Sequence, residues 1–384
     1  MPTYRGLEGA RAWLAWIVVL THIVALTGIG EAIPALKVIG KCGDWAVQLF
    51  IIMSGFVITH LLLSRQESYP IYIARRALRL FPAYLVALML AILVLPATIS
   101  AFGALPWHDA GQLTHFADQN AQLVEGNLTW HVVLHALMLH GAVPNSLLPE
   151  SEYMFLTPAW SVSLEWQFYL IAPFLLKMLL DDRLKLLFVG GAITSYLAYR
   201  TGLFGHFYLP SLLPGSIGYF LVGIGTRLAL DRLPALRSYP LILVAGCLIL
   251  AIGSGELVPL AAWIGLMSYA QLDREALERP DLTTRLLKTV LDSRFAVSAG
   301  VRSYSVYILH WVVISIMMCL VTLSDTTSPW LQFAEILVGT VAITIIGSEC
   351  LYRFVEQPGI RFGRVLARRP IRNSEHRTQR LAVP

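Results

Sequence analysis

Segments of about twenty mostly apolar residues recur between residues 11 and 353, and few charges interrupt them. A helix of that length crosses the roughly 30 Å hydrocarbon core of a bilayer, because it rises about 1.5 Å per residue. In lipid only helices and closed barrels satisfy every backbone polar group, and runs this long are not barrel strands. Charged residues make up 14% of the 384, and the apolar set 56%. A soluble domain is nearer a quarter charged. The chain is therefore expected to be an all-α, polytopic integral membrane protein of about ten transmembrane helices. They fall near 11–29, 44–64, 77–97, 158–179, 184–200, 209–229, 238–254, 256–271, 303–323 and 331–353. The seventh and eighth, joined by GSGE, are short for spans.

Basic residues orient this arrangement. With the N-terminus in the cytoplasm, 26 of the 29 Lys and Arg lie in cytoplasmic segments. Only Lys37, Lys41 and Arg200 lie outside. This is the asymmetry of the positive-inside rule, and an odd number of spans would destroy it. Both termini are thus expected in the cytoplasm. The net charge of +5 reads as a topology signal rather than a nucleic-acid footprint. No Lys or Arg occurs between Arg79 and Lys177, a stretch that includes a long outer loop near 98–157. Within it, HVVLHALMLHGAV (131–143) reads as a short interfacial or re-entrant helix. The expected units are a transmembrane domain, 1–362, and a basic cytoplasmic tail, 363–384. No cleavable signal peptide, separate soluble domain or fixed-period repeat is visible. Cys42, Cys247, Cys319 and Cys350 form no CxxC pair, so neither a disulfide framework nor a zinc site is expected.

Ionisable residues within the apolar runs are expensive, which makes them candidate functional groups. His22 sits in the middle of WIVVLTHIVAL. Arg11 lies eleven residues earlier, almost three helical turns and about 16 Å away on the same face. His22 is either a structural hydrogen-bonding group or a functional one, and the aligned arginine favours function. In YIARRALRLFPAY (72–84), Arg76 and Arg79 are three apart and share a face. Their planar forks suit phosphate oxygens. They either dock a cytosolic phosphate-bearing substrate such as a coenzyme A thioester or simply anchor the helix, and both readings stand. LTPAWSVSLEWQFYLIAPFLL (156–176) puts Ser161, Glu165 and Tyr169 on one face, with Thr157 and Pro158 at N-cap and N1 positions. Glu165 is a site carboxylate or one half of an ion pair that locks helices. SYSVYILHWVV (303–313) aligns Ser303, Tyr307 and His310; His310 suits packing as well as chemistry. Glu356 in FVEQP is placed to pair with cytoplasmic arginines, and the glycine of MSGFVIT permits close helix approach. His60 and the outer-loop histidines carry no comparable pattern.

The segments RAWLAWIVVLTH, LFIIMSGFVIT, ARRALRLFPAY, WSVSLEWQFYL, SYSVYILH and FVEQP occur in this order over about residues 5–360. Together they resemble the acyltransferase-3 family of integral membrane acyltransferases. The resemblance implies an O-acyltransferase of the bacterial cytoplasmic membrane. It would move an acyl group, most often acetyl, from a cytosolic acyl-coenzyme A to a hydroxyl of a carbohydrate or glycolipid acceptor at the membrane or its outer face. Exopolysaccharide, O-antigen and nodulation factor are acceptors of this kind. Arg11 with His22 matches the family's core motif, Arg76 with Arg79 its second, and Glu165 and the Ser303–Tyr307–His310 segment match further positions. On this reading His22 is the general base or transiently carries the acyl group. Arg11, Arg76 and Arg79 hold the donor's phosphates, and Glu165 orients the acceptor hydroxyl or a histidine. Acetyl-CoA or another acyl-CoA is the co-substrate; no metal and no nucleic acid are implied. The chain departs from many members in carrying Gln48 where they have an acid before the SGF motif, and in lacking a fused extracytoplasmic domain. The alternative is a secondary transporter for a sugar or small anion, built on an intramembrane His/Glu/Arg relay. The matching halves that many transporters show are not visible.

Overall fold

A backbone in lipid has one local way to satisfy its own hydrogen bonds, and the chain takes it throughout. The computed structural model describes residues 4–65, 67–107, 115–116, 118–121, 126–230, 257–272, 278, 280–324 and 326–368. Among them the regular elements are all helical. In chain order they are α1 (Arg5–Thr27), α2 (Lys37–Ser64), α3 (Tyr69–Phe102), α4 (Leu128–Ala136), α5 (Trp160–Leu180), α6 (Lys185–Arg200) and α7 (Leu213–Leu230). There follow α8 (Val258–Ala270), α9 (Leu282–Asp292), α10 (Arg294–Val301), α11 (Ser303–Thr322), α12 (Pro329–Leu351) and α13 (Gln357–Arg368), with short 3₁₀ and π turns between some of them.

Among the described residues, six helical segments are long and apolar enough to cross a membrane: Arg5–Thr27, Pro34–Ser64, Tyr69–Phe102, Leu213–Leu230, Ser303–Thr322 and Pro329–Ala367. Glu165, Gln167 and Lys177 make α5 less apolar, and α6 has only 16 residues. The expected span 238–254 lies outside the described residues, and its neighbour is the 13-residue α8. The expected cytoplasmic connection 272–302 contains α9 and α10, which pack on α1. α13 runs through residue 362, where the basic tail is expected to begin. Ten spans with cytoplasmic termini make a direct prediction. A reporter active only outside the cytoplasm gives a signal when fused near Gln119 and none after Arg285 or Arg372. A signal at either of the latter overturns the orientation.

Tight crossings bring the polar residues together. A Cβ on Gly55 would lie 2.4 Å from the Phe220 carbonyl oxygen, and one on Gly223 would lie 2.0 Å from that of Ile52. α2 and α7 therefore touch backbone to backbone, as small residues permit in lipid. α11 is apolar around its whole circumference, so it occupies the centre; Ile308, His310 and Ile314 are fully buried.

The expected outer loop contains helical structure among its described residues. Its helix is α4, and a 3₁₀ turn follows at His140–Ala142, within the expected 131–143 segment. His131, His135 and His140 are completely buried there, and the His135 and His140 rings stack 4.0 Å apart. Burial lowers His131 to about 4 and His140 to about 3, and takes His135, beside His140, well below its usual 6.5. A depressed base is neutral in the fold but takes up a proton when unfolded below 6.5. The stability these groups contribute is complete above that value and is lost as pH falls toward 4. One pH unit below 6.5 costs about 1.4 kcal/mol per histidine. Amide hydrogen exchange in α4, corrected for intrinsic rates, is expected to quicken by about tenfold or more between pH 6.5 and 5.5. α12, which carries no histidine, serves as the internal control, and equal exchange at both pH values would refute the neutral assignment.

Candidate active site

Three arginines converge without full partners. Arg11 lies about two turns into α1. It touches only Glu8 on its own helix, at 3.9 Å, and its Nε has no acceptor. Arg79 makes no ion pair with a carboxylate among the described residues, although it lies in the interior of the bundle. Arg76 is buried beneath the Tyr169 ring, 5.9 Å from its centroid, with its Nε unpartnered. Arg11 and Arg79 line a cavity of about 70 Å³, whose other polar walls include Ser54, Ser161, Glu165 and Ser303. That space admits several waters or a small organic group. Arg76 is absent from the cavity wall, which separates it from Arg79 despite their shared motif.

Glu165 is held from two sides. Ser54 Oγ on α2 donates to its Oε1 at 2.8 Å, and Tyr169 Oη, one turn further along α5, donates to the same oxygen at 2.5 Å. Oε2 accepts no hydrogen bond among the described residues. Above it, Tyr307 Oη donates to the Pro158 carbonyl at 3.0 Å and lies 2.7 Å from Ser161 Oγ. Glu165 therefore meets hydroxyls rather than a basic ion-pair partner. Among the described residues Glu165 makes no helix-locking salt bridge, one of the two sequence readings.

The two intramembrane histidines meet. His22 Nδ1 lies 3.0 Å from His310 Nε2, although 288 residues separate them. The other nitrogen of His310, Nδ1, faces the Val306 carbonyl at 3.3 Å. A carbonyl can only accept, so His310 Nδ1 carries the proton and its Nε2 is the acceptor. His22 then donates through Nδ1, and its Nε2 keeps a lone pair. The Trp311 ring packs edge-on against His22 at 5.3 Å. The pair borders the cavity through Tyr307, whose ring centroid is 5.9 Å from that of His310.

The structure thus brings Arg11, Arg79, Glu165, Ser303 and Tyr307 to one cavity; His22 and His310 are paired off its wall, one ring beyond Tyr307. Two expectations change. Thr157 does not cap α5: it belongs to a 3₁₀ turn, Thr157–Ala159, and its hydroxyl donates to Tyr153 O. Glu356 pairs with Ser305 Oγ at 2.6 Å, not with an arginine. It sits at the end of a π turn, Tyr352–Glu356, that carries the FVEQP motif inward. His60 accepts from Arg227 Nε at 3.0 Å. Ser54 and Tyr304 escaped the sequence reading. Ser54 stands beside the glycine singled out in MSGFVIT, and Phe50 and Ser54, four apart, both face the cavity. Tyr304 lines it too and ties α11 to the Leu80 carbonyl at 2.8 Å.

A family model described as an acyltransferase domain matches residues 4–349. It takes in all of these groups except Glu356. No curated protein and no solved structure matches the chain.

Proposed function

The chain belongs to the acyltransferase-3 family, and from that premise we propose that it carries an acetyl or other acyl group from cytosolic acyl-coenzyme A to a hydroxyl of a carbohydrate or glycolipid. The acceptor would lie at the outer face of a bacterial cytoplasmic membrane. Acyl transfer and membrane residence follow from the family and the apolar helices. Family membership also favours an enzyme over the transporter alternative. Donor, acceptor and residue roles are the proposal.

The observation that supports it best is the His22–His310 pair, one ring away from a cavity that joins Arg11 and Arg79 to a carboxylate. The acceptor hydroxyl attacks the thioester carbonyl. A carbon–oxygen bond forms, the carbon–sulfur bond breaks, and the hydroxyl proton must end on the departing thiolate. His22 Nε2 takes that proton and returns it to sulfur. His310 fixes the tautomer, as the orienting residue of a nucleophile–histidine triad does. Glu165 Oε2 accepts from a neighbouring hydroxyl of the acceptor and so aims the attacking one. Arg79, with Arg11, holds the donor's phosphates or the charge that develops on the thioester oxygen. Arg76, once expected beside Arg79, acts through Tyr169, whose hydroxyl positions Glu165. Donor and acceptor approach from opposite ends, and their reacting groups meet in the cavity.

Inverted membrane vesicles containing the protein, given radiolabelled acetyl-coenzyme A, test this. Label in carbohydrate or glycolipid with release of free coenzyme A is the expected result. Solute uptake without acyl transfer would overturn the proposal.

A further inference from the structure

The outer end of the fold carries a second construction that the chemistry above does not use. Glu152 is fully buried and accepts four hydrogen bonds: from Asn145 Nδ2 at 2.8 Å, Ser211 Oγ at 2.6 Å, and the backbone N–H groups of Tyr208 and Leu209 at 2.7 and 3.0 Å. Asn145 N–H also donates to the His206 carbonyl at 2.9 Å. One carboxylate thus clamps two distant loops, the one before α5 and the one before α7. Charge-assisted bonds of this kind are among the stronger ones in proteins.

The clamp presents aromatic rings. His115 stacks on Tyr153 with centroids 4.1 Å apart. Tyr208 meets both, at 5.5 and 5.8 Å, and His206 lies edge-on to Tyr208 at 5.0 Å. Glu150, buried and held at φ 59° in the left-handed region, sits 3.1 Å from His115 Nδ1 and raises that imidazole's pKa through the hydrogen bond. A non-glycine residue in that conformation is strained, and such strain collects at functional sites. The Tyr208 ring remains 48% exposed although its backbone is fixed. An aromatic belt needs no such clamp, because its rings only have to reach the headgroup region.

We propose that His115, Tyr153, His206 and Tyr208 form a docking platform for a carbohydrate. A pyranose offers an apolar C–H face to stack on rings and a rim of hydroxyls for phenol, imidazole and carboxylate groups. Recognition sites commonly combine apolar walls with a few placed polar groups in this way. The platform is joined to the cavity by a short stretch of chain. Thr157 Oγ1 donates to Tyr153 O at 3.0 Å, and the next residue, Pro158, accepts from Tyr307. Five residues of chain reach at most roughly 18 Å. A sugar held there would be the acceptor waiting beside the site of transfer. That last role, but not sugar binding itself, rests on the acyl-transfer proposal.

Saturation-transfer NMR on the full chain in lipid nanodiscs tests the platform, with short oligosaccharides of hexoses and N-acetylhexosamines as probes. The expected result is saturation of sugar ring protons by the wild type. Tyr208→Ala should weaken that binding by about tenfold, and Tyr208→Phe, which keeps the ring, should retain most of it. Tyr208 is exposed and its N–H survives in both variants, so the clamp is unaffected. No saturation of any probe by the wild type, or equal affinity in Tyr208→Ala, would show that the rings are only an aromatic anchor. Sugar binding without any transfer from acetyl-coenzyme A would leave the platform standing and overturn the acyl-transfer proposal instead.

Discussion

His22→Gln is expected to lower acyl transfer at least about 100-fold, the usual scale for losing a general base. Insertion and donor binding should be unaffected. Glutamine is neutral and of similar reach, so its amide can still donate to His310 Nε2 and preserve the contact now 3.0 Å long. What it lacks is a nitrogen that accepts a proton near neutral pH. The donor's phosphates are expected about 16 Å away along α1, near Arg11, so donor affinity should not follow turnover. The measurement is turnover of acetyl-coenzyme A in vesicles at matched protein level, beside donor affinity. Near-normal turnover would make the histidine pair a structural hydrogen bond, and the base would then be sought at Glu165. His310→Gln supplies a graded control. It should reduce turnover less, because His22 keeps its own proton acceptor and loses only orientation. Its pH–rate profile should move, since the group facing His22 Nδ1 has changed, and a merely structural role would leave the profile in place.

Much of this site could be read in the sequence, for a physical reason that also limits the reading. Lipid makes a charge costly wherever it is not needed, so His22, Arg76, Arg79 and Glu165 stand out in apolar text. Helical periodicity then orders residues on one helix: Ser161, Glu165 and Tyr169 do share a face, and Tyr169 does reach Glu165. Periodicity says nothing of which helices meet. The His22–His310 contact joins α1 to α11, and the Ser54–Glu165 contact joins α2 to α5, across 288 and 111 residues. Nor does it resolve the two arginines of one motif. Three residues turn a helix by about 300°, which leaves Arg76 and Arg79 roughly 60° apart. That angle is enough to put one under Tyr169 and the other on the cavity wall. The outer loops were least legible. Glu152 and the buried histidines are placed by tertiary packing rather than by any repeat, so their four-donor clamp and stacked rings had no signature beyond the i, i+4 spacing of His131 and His135.

Arg79→Ala should weaken acyl-coenzyme A binding by roughly 10- to 150-fold, the equivalent of about 1.5–3 kcal/mol for one charge-assisted contact. Arg79→Lys should recover only part, because an ammonium lacks the planar fork that meets phosphate oxygens in pairs. Stability without donor should behave differently. Placing an unpaired guanidinium in the interior is costly, and removing half of a well-made ion pair is strongly destabilising. Arg79 has no carboxylate at ion-pairing distance among the described residues, and Glu356, Glu165 and Glu8 act on its charge only from further off, so truncating it should leave donor-free stability little changed. A residue kept for the fold would show the opposite. Thermal unfolding in detergent distinguishes the two cases: acyl-coenzyme A should raise the wild-type midpoint, since a ligand stabilises the state that binds it, and should raise the alanine variant's far less. If the variant binds donor normally, or unfolds several degrees lower in its absence, Arg79 is an anchor of α3 and the donor's phosphates are held elsewhere. The outcome of interest is the combination of undiminished stability with lost affinity, because positive-inside anchoring alone requires no partnerless arginine on a cavity wall shared with Glu165.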